Sequence, residues 1–134
     1  MAAKKSSEKA RPSEEARELA LQLAHAAVEL KGEEVRVLQV ADLLFITDYF
    51  VIVTTQTPRQ TRGMAEALNV VAKERGLAKG RLEGDHRSAW MLIDFGNVVV
   101  HVLTEEARGF YDLDTLWADA EELGDAPSAD SQSA

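Results

Sequence analysis

Residues 48–55 read "DYFVIVTT", and "QTPRQ" follows at 56–60. The centre of the first stretch, Phe50 to Val53, is apolar at every position. Successive strand residues point to opposite faces of a sheet. Unbroken apolarity therefore means burial on both faces, the pattern of a central strand with helices on each side. The following residues open a helix. Thr57 is its N-cap, Pro58 sits in the first turn, and Gln60 stands where a capping box needs it. Met64, Ala67, Leu68, Val71 and Ala72 recur at helical spacing and form its buried stripe, and Gly76 ends it.

Upstream, a first helix is expected over 13–31. Ser13 caps it, Glu14 and Glu15 suit the positive end of its dipole, and Gly32 is the stop. Ala16, Leu19, Ala20, Leu23, Ala27 and Leu30 make its apolar stripe. "EEVRVLQV" at 33–40 reads as a strand. Downstream, "GRLEGDHRSA" at 80–89 is a loop or short edge strand. "WMLIDFGNVVVHV" at 90–102, a short acidic helix and "FYDLDTLW" at 110–117 complete the ordered part. The expected fold class is α/β, a single-domain mixed β-sheet flanked by helices on both faces.

At 134 residues the chain is long enough for one domain with its own core. Its ends are small and polar, so 1–12 and 121–134 read as disordered tails around a domain at 13–120. There is no cysteine, which excludes disulfides and thiolate metal sites and fits a cytoplasmic setting. No apolar run approaches the roughly 20 residues that span a bilayer, and the first residues lack the apolar core of a secretory signal. No membrane association is expected. The net charge is −8, with a basic start and an acidic end. Such a body repels phosphate backbones, so little direct nucleic-acid contact is expected and a basic protein partner is favoured.

The stretch at 90–102 reads as a hairpin turning at Asp94-Phe95-Gly96-Asn97. With Asp94 opposite Asn97, Leu92 faces Val99 and Trp90 faces His101. One face then carries Met91, Ile93, Val98, Val100 and Val102 and belongs to the core. The other carries Trp90, Leu92, Asp94, Asn97, Val99 and His101. That face is too polar for a dry interior and too apolar for ordinary surface. A tryptophan with aliphatic neighbours and a polar edge has the composition of an interface hot spot. A longer turn would shift the register and break the Trp90–His101 pairing.

Other chemistries fit less well. "DFG" at 94–96 lacks the other kinase parts. Asp94 and His101 lie at opposite ends of the hairpin face, with no nucleophile nearby. His25, His86 and His101 have no metal-ligand spacing, and no metal or cofactor is expected. Glu83 and Asp85, two apart, are the best enzymatic hint. Such a pair can hold Mg²⁺ for nucleotidyl or phosphoryl transfer, but no Gly-Ser motif precedes it. The helix start after "TTQ" has no glycine to let a phosphate approach.

Taken together, these motifs resemble the Iojap-related ribosomal silencing factor family over roughly 19–120. "TDYFVIVT" at 47–54, "RQ" at 59–60 and "EG" at 83–84 match. So do W-x-L-x-D-x-G-x-V-x-V-H from Trp90 to His101 and R-x-FYDLDTLW from Arg108 to Trp117. Thr47, Leu103 and Glu105 depart from the common alanine, phenylalanine and proline. The resemblance implies a non-enzymatic factor with a nucleotidyltransferase-like fold that lacks its catalytic motif. It implies binding to the large ribosomal subunit through ribosomal protein fourteen, a block on small-subunit joining, and translational repression when nutrients run short. Trp90, Asp94 and His101 would then be binding residues. The same apolar face can also pair with itself, which keeps a homodimer of the free protein open. The alternative is a Mg-dependent nucleotidyl-transfer or phosphate-handling enzyme using Glu83 and Asp85.

Overall fold

The computed structural model describes residues 13–41, 47–76, 80–84, 89–111, 118 and 120–123. Helix α1 spans Glu14–Glu29. Strands β1 (Glu33–Gln39) and β2 (Tyr49–Thr55) follow, then helix α2 (Pro58–Glu74). Strands β3 (Arg81–Glu83), β4 (Trp90–Asp94) and β5 (Val98–Thr104) lead into helix α3 (Glu105–Tyr111), and β6 is Glu121–Glu122. The strands form one sheet in the order β3-β4-β5-β2-β1-β6. Among the described residues only β2 and β5 pair in parallel; the other neighbours are antiparallel. No helix among the described residues is long and apolar enough to cross a membrane.

Every residue of β2 is buried, as the unbroken apolarity of its centre, Phe50 to Val53, requires. One face of the sheet packs on both long helices. Val37, Val51, Val53, Ile93, Val100 and Val102 meet Leu23, Met64 and Leu68 there. The other face is smaller: Leu38, Val40, Phe50, Ile52 and Leu103 gather with Ala107 of α3. Among the described residues helices thus lie on both faces, but unequally: two of four turns or more on one side, one of seven residues on the other.

The helix caps follow the local chemistry. The Ser13 Oγ accepts from the amide of Ala16 at 3.0 Å, and the Thr57 Oγ1 accepts from Gln60 N at 3.1 Å. The Gln60 side chain reaches back one residue further than a capping box, to Gln56 N at 2.9 Å. Gly76, at φ +80°, ends α2 as expected.

Two details of α1 differ from the sequence reading. Its buried stripe is mostly alanine: Ala16, Ala20, Ala24 and Ala27 join Leu23, while Leu30 is 43% exposed. Small side chains let this helix approach the sheet closely, and Leu30 lies past its end. The residue after the C-cap that takes the left-handed conformation is Lys31, at φ +75°, not Gly32. Gly32 is needed for closeness instead. A Cβ there would stand 2.6 Å from Val53 Cγ1 and 2.9 Å from the Ala27 carbonyl.

The chain also stays ordered past 120. Leu38 pairs with Glu122 and Gln39 with Glu121, and Leu123 N donates to the Val37 carbonyl at 3.0 Å. The Arg36 guanidinium grips the Glu122 carboxylate with bonds of 3.0 and 3.1 Å. The tail boundary read at 121 therefore falls too early. β1 had an open edge, and an edge strand is completed by whatever can donate backbone bonds, even acidic residues.

A bulge interrupts β1 between Glu33 and Arg36, with Glu34 at φ +46°. Arg108 of α3, almost wholly buried, donates to the Glu34 carbonyl at 2.8 Å and also to Thr54 Oγ1. The short helix is thereby bolted to both β1 and β2.

Candidate functional site: the outer face of the β4–β5 hairpin

The hairpin expected at 90–102 is present, with a shifted register. Trp90 lies opposite Leu103, Leu92 opposite His101, and Asp94 opposite Val99. Phe95 N donates to the Val98 carbonyl at 2.9 Å, so the two-residue loop is Gly96-Asn97, not Phe95-Gly96. The cause is conformational. A tight hairpin turn needs a positive φ, and Gly96 supplies it at +92° as the first loop residue. The Asp94 carboxylate stabilises this turn by accepting from Gly96 N at 2.8 Å.

The loop moves one residue along the chain, so opposite partners change by two. Two is the period of a strand, and the faces survive. Trp90, Leu92, Asp94, Val99 and His101 share one face, and Leu103 joins them. Met91, Ile93, Val98, Val100 and Val102 line the long-helix core. Asn97 is not on that face but in the exposed loop. Its carbonyl accepts from Asp48 N at 3.0 Å and Tyr49 N at 3.1 Å, which ties the hairpin tip to the start of β2.

The direct Trp90–His101 pairing is lost, but a diagonal contact replaces it. The Trp90 indole Nε1–H donates to His101 Nδ1 at 3.2 Å. The two ring centroids are 5.9 Å apart and tilted by 50°. On its other side the imidazole meets the Phe50 ring edge-on at 4.5 Å and 72°. His101 is only 9% exposed, whereas Trp90, Leu92, Asp94 and Val99 are half-buried. The face therefore has two layers. The imidazole lies beneath the indole and is not itself a surface group.

Burial pulls the His101 pKa down to about 4, so the ring is neutral near pH 7. Burial also raises the Asp48 carboxyl beside the hairpin tip. Phe50 and Leu103 belong to this face and escaped the sequence reading. Leu103 was within reach of simple alternation from His101. Phe50 comes from the parallel β2–β5 pairing, where it lies beside Val99, and no local pattern reveals such a neighbour.

The alternative carboxylate site looks different. Glu83 is on edge strand β3, and its carboxylate accepts from Arg81 at 3.1 Å. Asp85 and His86 lie outside the described residues. Among the described residues no group of three metal-ligating side chains gathers. His25 sits on α1, 3.3 Å from Glu29.

Fold and site together define a small mixed α/β domain that presents a half-buried aromatic and aliphatic face on a hairpin. Residues 13–134 match the family model described as "Ribosomal silencing factor during starvation". A "Ribosomal silencing factor RsfS" from Halalkalibacterium halodurans is 42% identical over 101 residues, covering 75% of this chain and 86% of that protein. The chloroplastic "Protein Iojap" of Zea mays is 33% identical over 101 residues, 75% of this chain and 44% of its own length. A crystal structure from Bacillus halodurans superposes with a TM-score of 0.64 at 38% identity, covering 77% of this chain and 94% of that one. Another, from Chromobacterium violaceum, gives 0.67 at 29% identity and covers 86% and 93%. The chain belongs to the ribosomal silencing factor family, as its motifs indicated.

Proposed function

We propose that this protein binds the large ribosomal subunit through ribosomal protein fourteen and sterically blocks the small subunit, repressing translation. The contact surface is the outer face of β4–β5: Trp90, Leu92, Asp94 and Val99, with Asn97 at its edge and His101 supporting it from below. The observation that carries this reading is the half-buried Trp90 among aliphatic neighbours, with the Asp94 carboxylate at the same face. An aromatic anchor beside an acid suits an apolar patch rimmed by lysine or arginine. The net charge of −8 favours a basic ribosomal protein over bare RNA.

The role is that of a binding factor, not an enzyme, on a nucleotidyltransferase-like sheet without the catalytic motif. The relatives are named as silencing factors, and Glu83 is engaged by Arg81. When free, the protein can use the same face to form a homodimer. Its site of action is the cytoplasm, where ribosomal subunits join.

Sedimentation with separated large subunits, small subunits and joined particles tests this. The expected result is cosedimentation with the large subunit alone, together with fewer joined particles when the factor is added before mixing. Binding to the small subunit, or to neither, would contradict it.

A further inference from the structure

The Trp90 indole lies on a surface face, yet its rotamer is set from inside the protein. In an antiparallel pair, diagonal neighbours are within reach of long aromatic side chains. Trp90 and His101 are such a pair: each stands two residues along its strand from the other's direct partner, Leu92 for His101 and Leu103 for Trp90. The indole N–H can only donate, so the imidazole Nδ1 must present its lone pair. The imidazole cannot turn away freely. Phe50 holds its edge, while Ile52 and Leu92 are its neighbours in register on either side. A neutral ring with Nδ1 as acceptor carries its proton on Nε2. That atom is buried and meets no acceptor among the described residues. With the proton on Nε2, Nδ1 is left as the acceptor that the indole N–H needs.

We infer that His101 is a positioning residue for the docking face: its Nδ1 acceptor holds the Trp90 indole in the orientation that the partner meets. This rests on the docking role given to that face above. An anchor side chain ordered before contact loses less freedom on binding than one that must be ordered by the partner. The partner then receives a preset aromatic plane whose one polar atom is already satisfied.

Two substitutions separate this from simple core packing. His101→Phe keeps an aromatic ring but has no acceptor. His101→Asn is smaller, yet its Oδ1 stands near the former Nδ1 and can accept from the indole. The Trp90 indole ¹H–¹⁵N signal, assigned by its loss in Trp90→Phe, reports the bond directly. In the native protein that signal should show a hydrogen-bonded N–H, and His101 should be the Nε2–H tautomer. His101→Phe should shift or broaden the indole signal and weaken large-subunit binding about 3–10-fold, the equivalent of ordering one side chain. His101→Asn should restore both readouts despite its poorer packing.

A native Nδ1–H tautomer would overturn the inference, and that reading needs no variant to fold. So would equal binding by the Phe and Asn variants. If Trp90→Ala loses binding while folded His101→Phe retains it, the docking face stands and the positioning role falls. If Trp90→Ala binds normally, the docking face itself is wrong and the positioning role falls with it.

Discussion

The Asn69 side chain clasps the backbone of Gly80 with both ends of its amide. Its Oδ1 accepts from Gly80 N at 2.8 Å, and its Nδ2 donates to the Gly80 carbonyl at 3.2 Å. Asn69 is buried on α2, and Gly80 immediately precedes β3. A helix residue thus supplies the pairing that an edge strand cannot yet make, and β3 in turn flanks β4, which carries Trp90.

Replacing Asn69 by Ala should therefore destabilise the protein by about 2–3 kcal/mol, because two buried backbone groups lose their partners. Chemical denaturation checks this. A loss below about 0.5 kcal/mol would mean that the Gly80 groups find other partners at little cost.

Acidification should weaken the fold before most carboxylates titrate. Burial holds the folded-state pKa of His101 at about 4, below the 6.5 of an ordinary imidazole. Between those values the unfolded chain binds a proton that the native protein refuses, so stability is present above 6.5 and is lost as pH falls towards 4. The expected loss between pH 7.5 and 5 is about 2 kcal/mol from this residue. The Asp48 carboxyl, raised by burial, acts in the opposite sense: it favours the native state at low pH and loses that effect as pH rises through its folded pKa. The groups in register with or touching His101 from β2 and β4 are Phe50, Ile52, Trp90 and Leu92, none of which carries a charge. From α3, Arg108 is committed to Glu34 and Thr54. Plots of stability against pH for the native protein and His101→Asn should not run parallel: the native protein loses stability as pH falls across this range, and the variant's plot is flatter. Parallel curves would show that His101 is not kept neutral.

Asp94 has a structural task as well as a candidate binding one, and two variants divide them. Asp94→Asn keeps an oxygen for Gly96 N but drops the charge; Asp94→Ala loses both. The Asn variant should melt like the native protein yet bind large subunits about 3–10-fold more weakly, with a smaller salt dependence. The Ala variant should lose about 0.5–1.5 kcal/mol of stability in addition. Native-like binding by the Asn variant would remove the carboxylate from the contact surface.

Much of this was legible in the residues. The all-apolar run at 50–53 marked the central strand, and Thr57-Pro58 marked the start of α2, because burial on two faces and helix capping are local requirements. The composition of the hairpin's outer face was legible through the period of two, which tolerates a register error of two partners. The register itself was not, since Asp94-Phe95-Gly96-Asn97 contains two candidate turns and only the φ of Gly96 selects between them. Neither the parallel β2–β5 pairing that sets Phe50 against His101 nor the edge pairing of Glu121 and Glu122 leaves a local trace. Burial of His101 followed from that pairing, so the sequence could put the ring on this face but not say that it lies beneath the indole.

The docking face is tested most directly by the affinity of folded Trp90→Ala protein for isolated large subunits. The indole packs on His101, so some loss of stability is expected, and the comparison is made at a temperature where circular dichroism shows both proteins native. Removing a central interface tryptophan costs about 2 kcal/mol or more. Binding should accordingly weaken on the order of thirtyfold, with subunit joining restored in proportion. A folded Trp90→Ala protein that binds the large subunit with native affinity would contradict the assignment of this face as the contact surface.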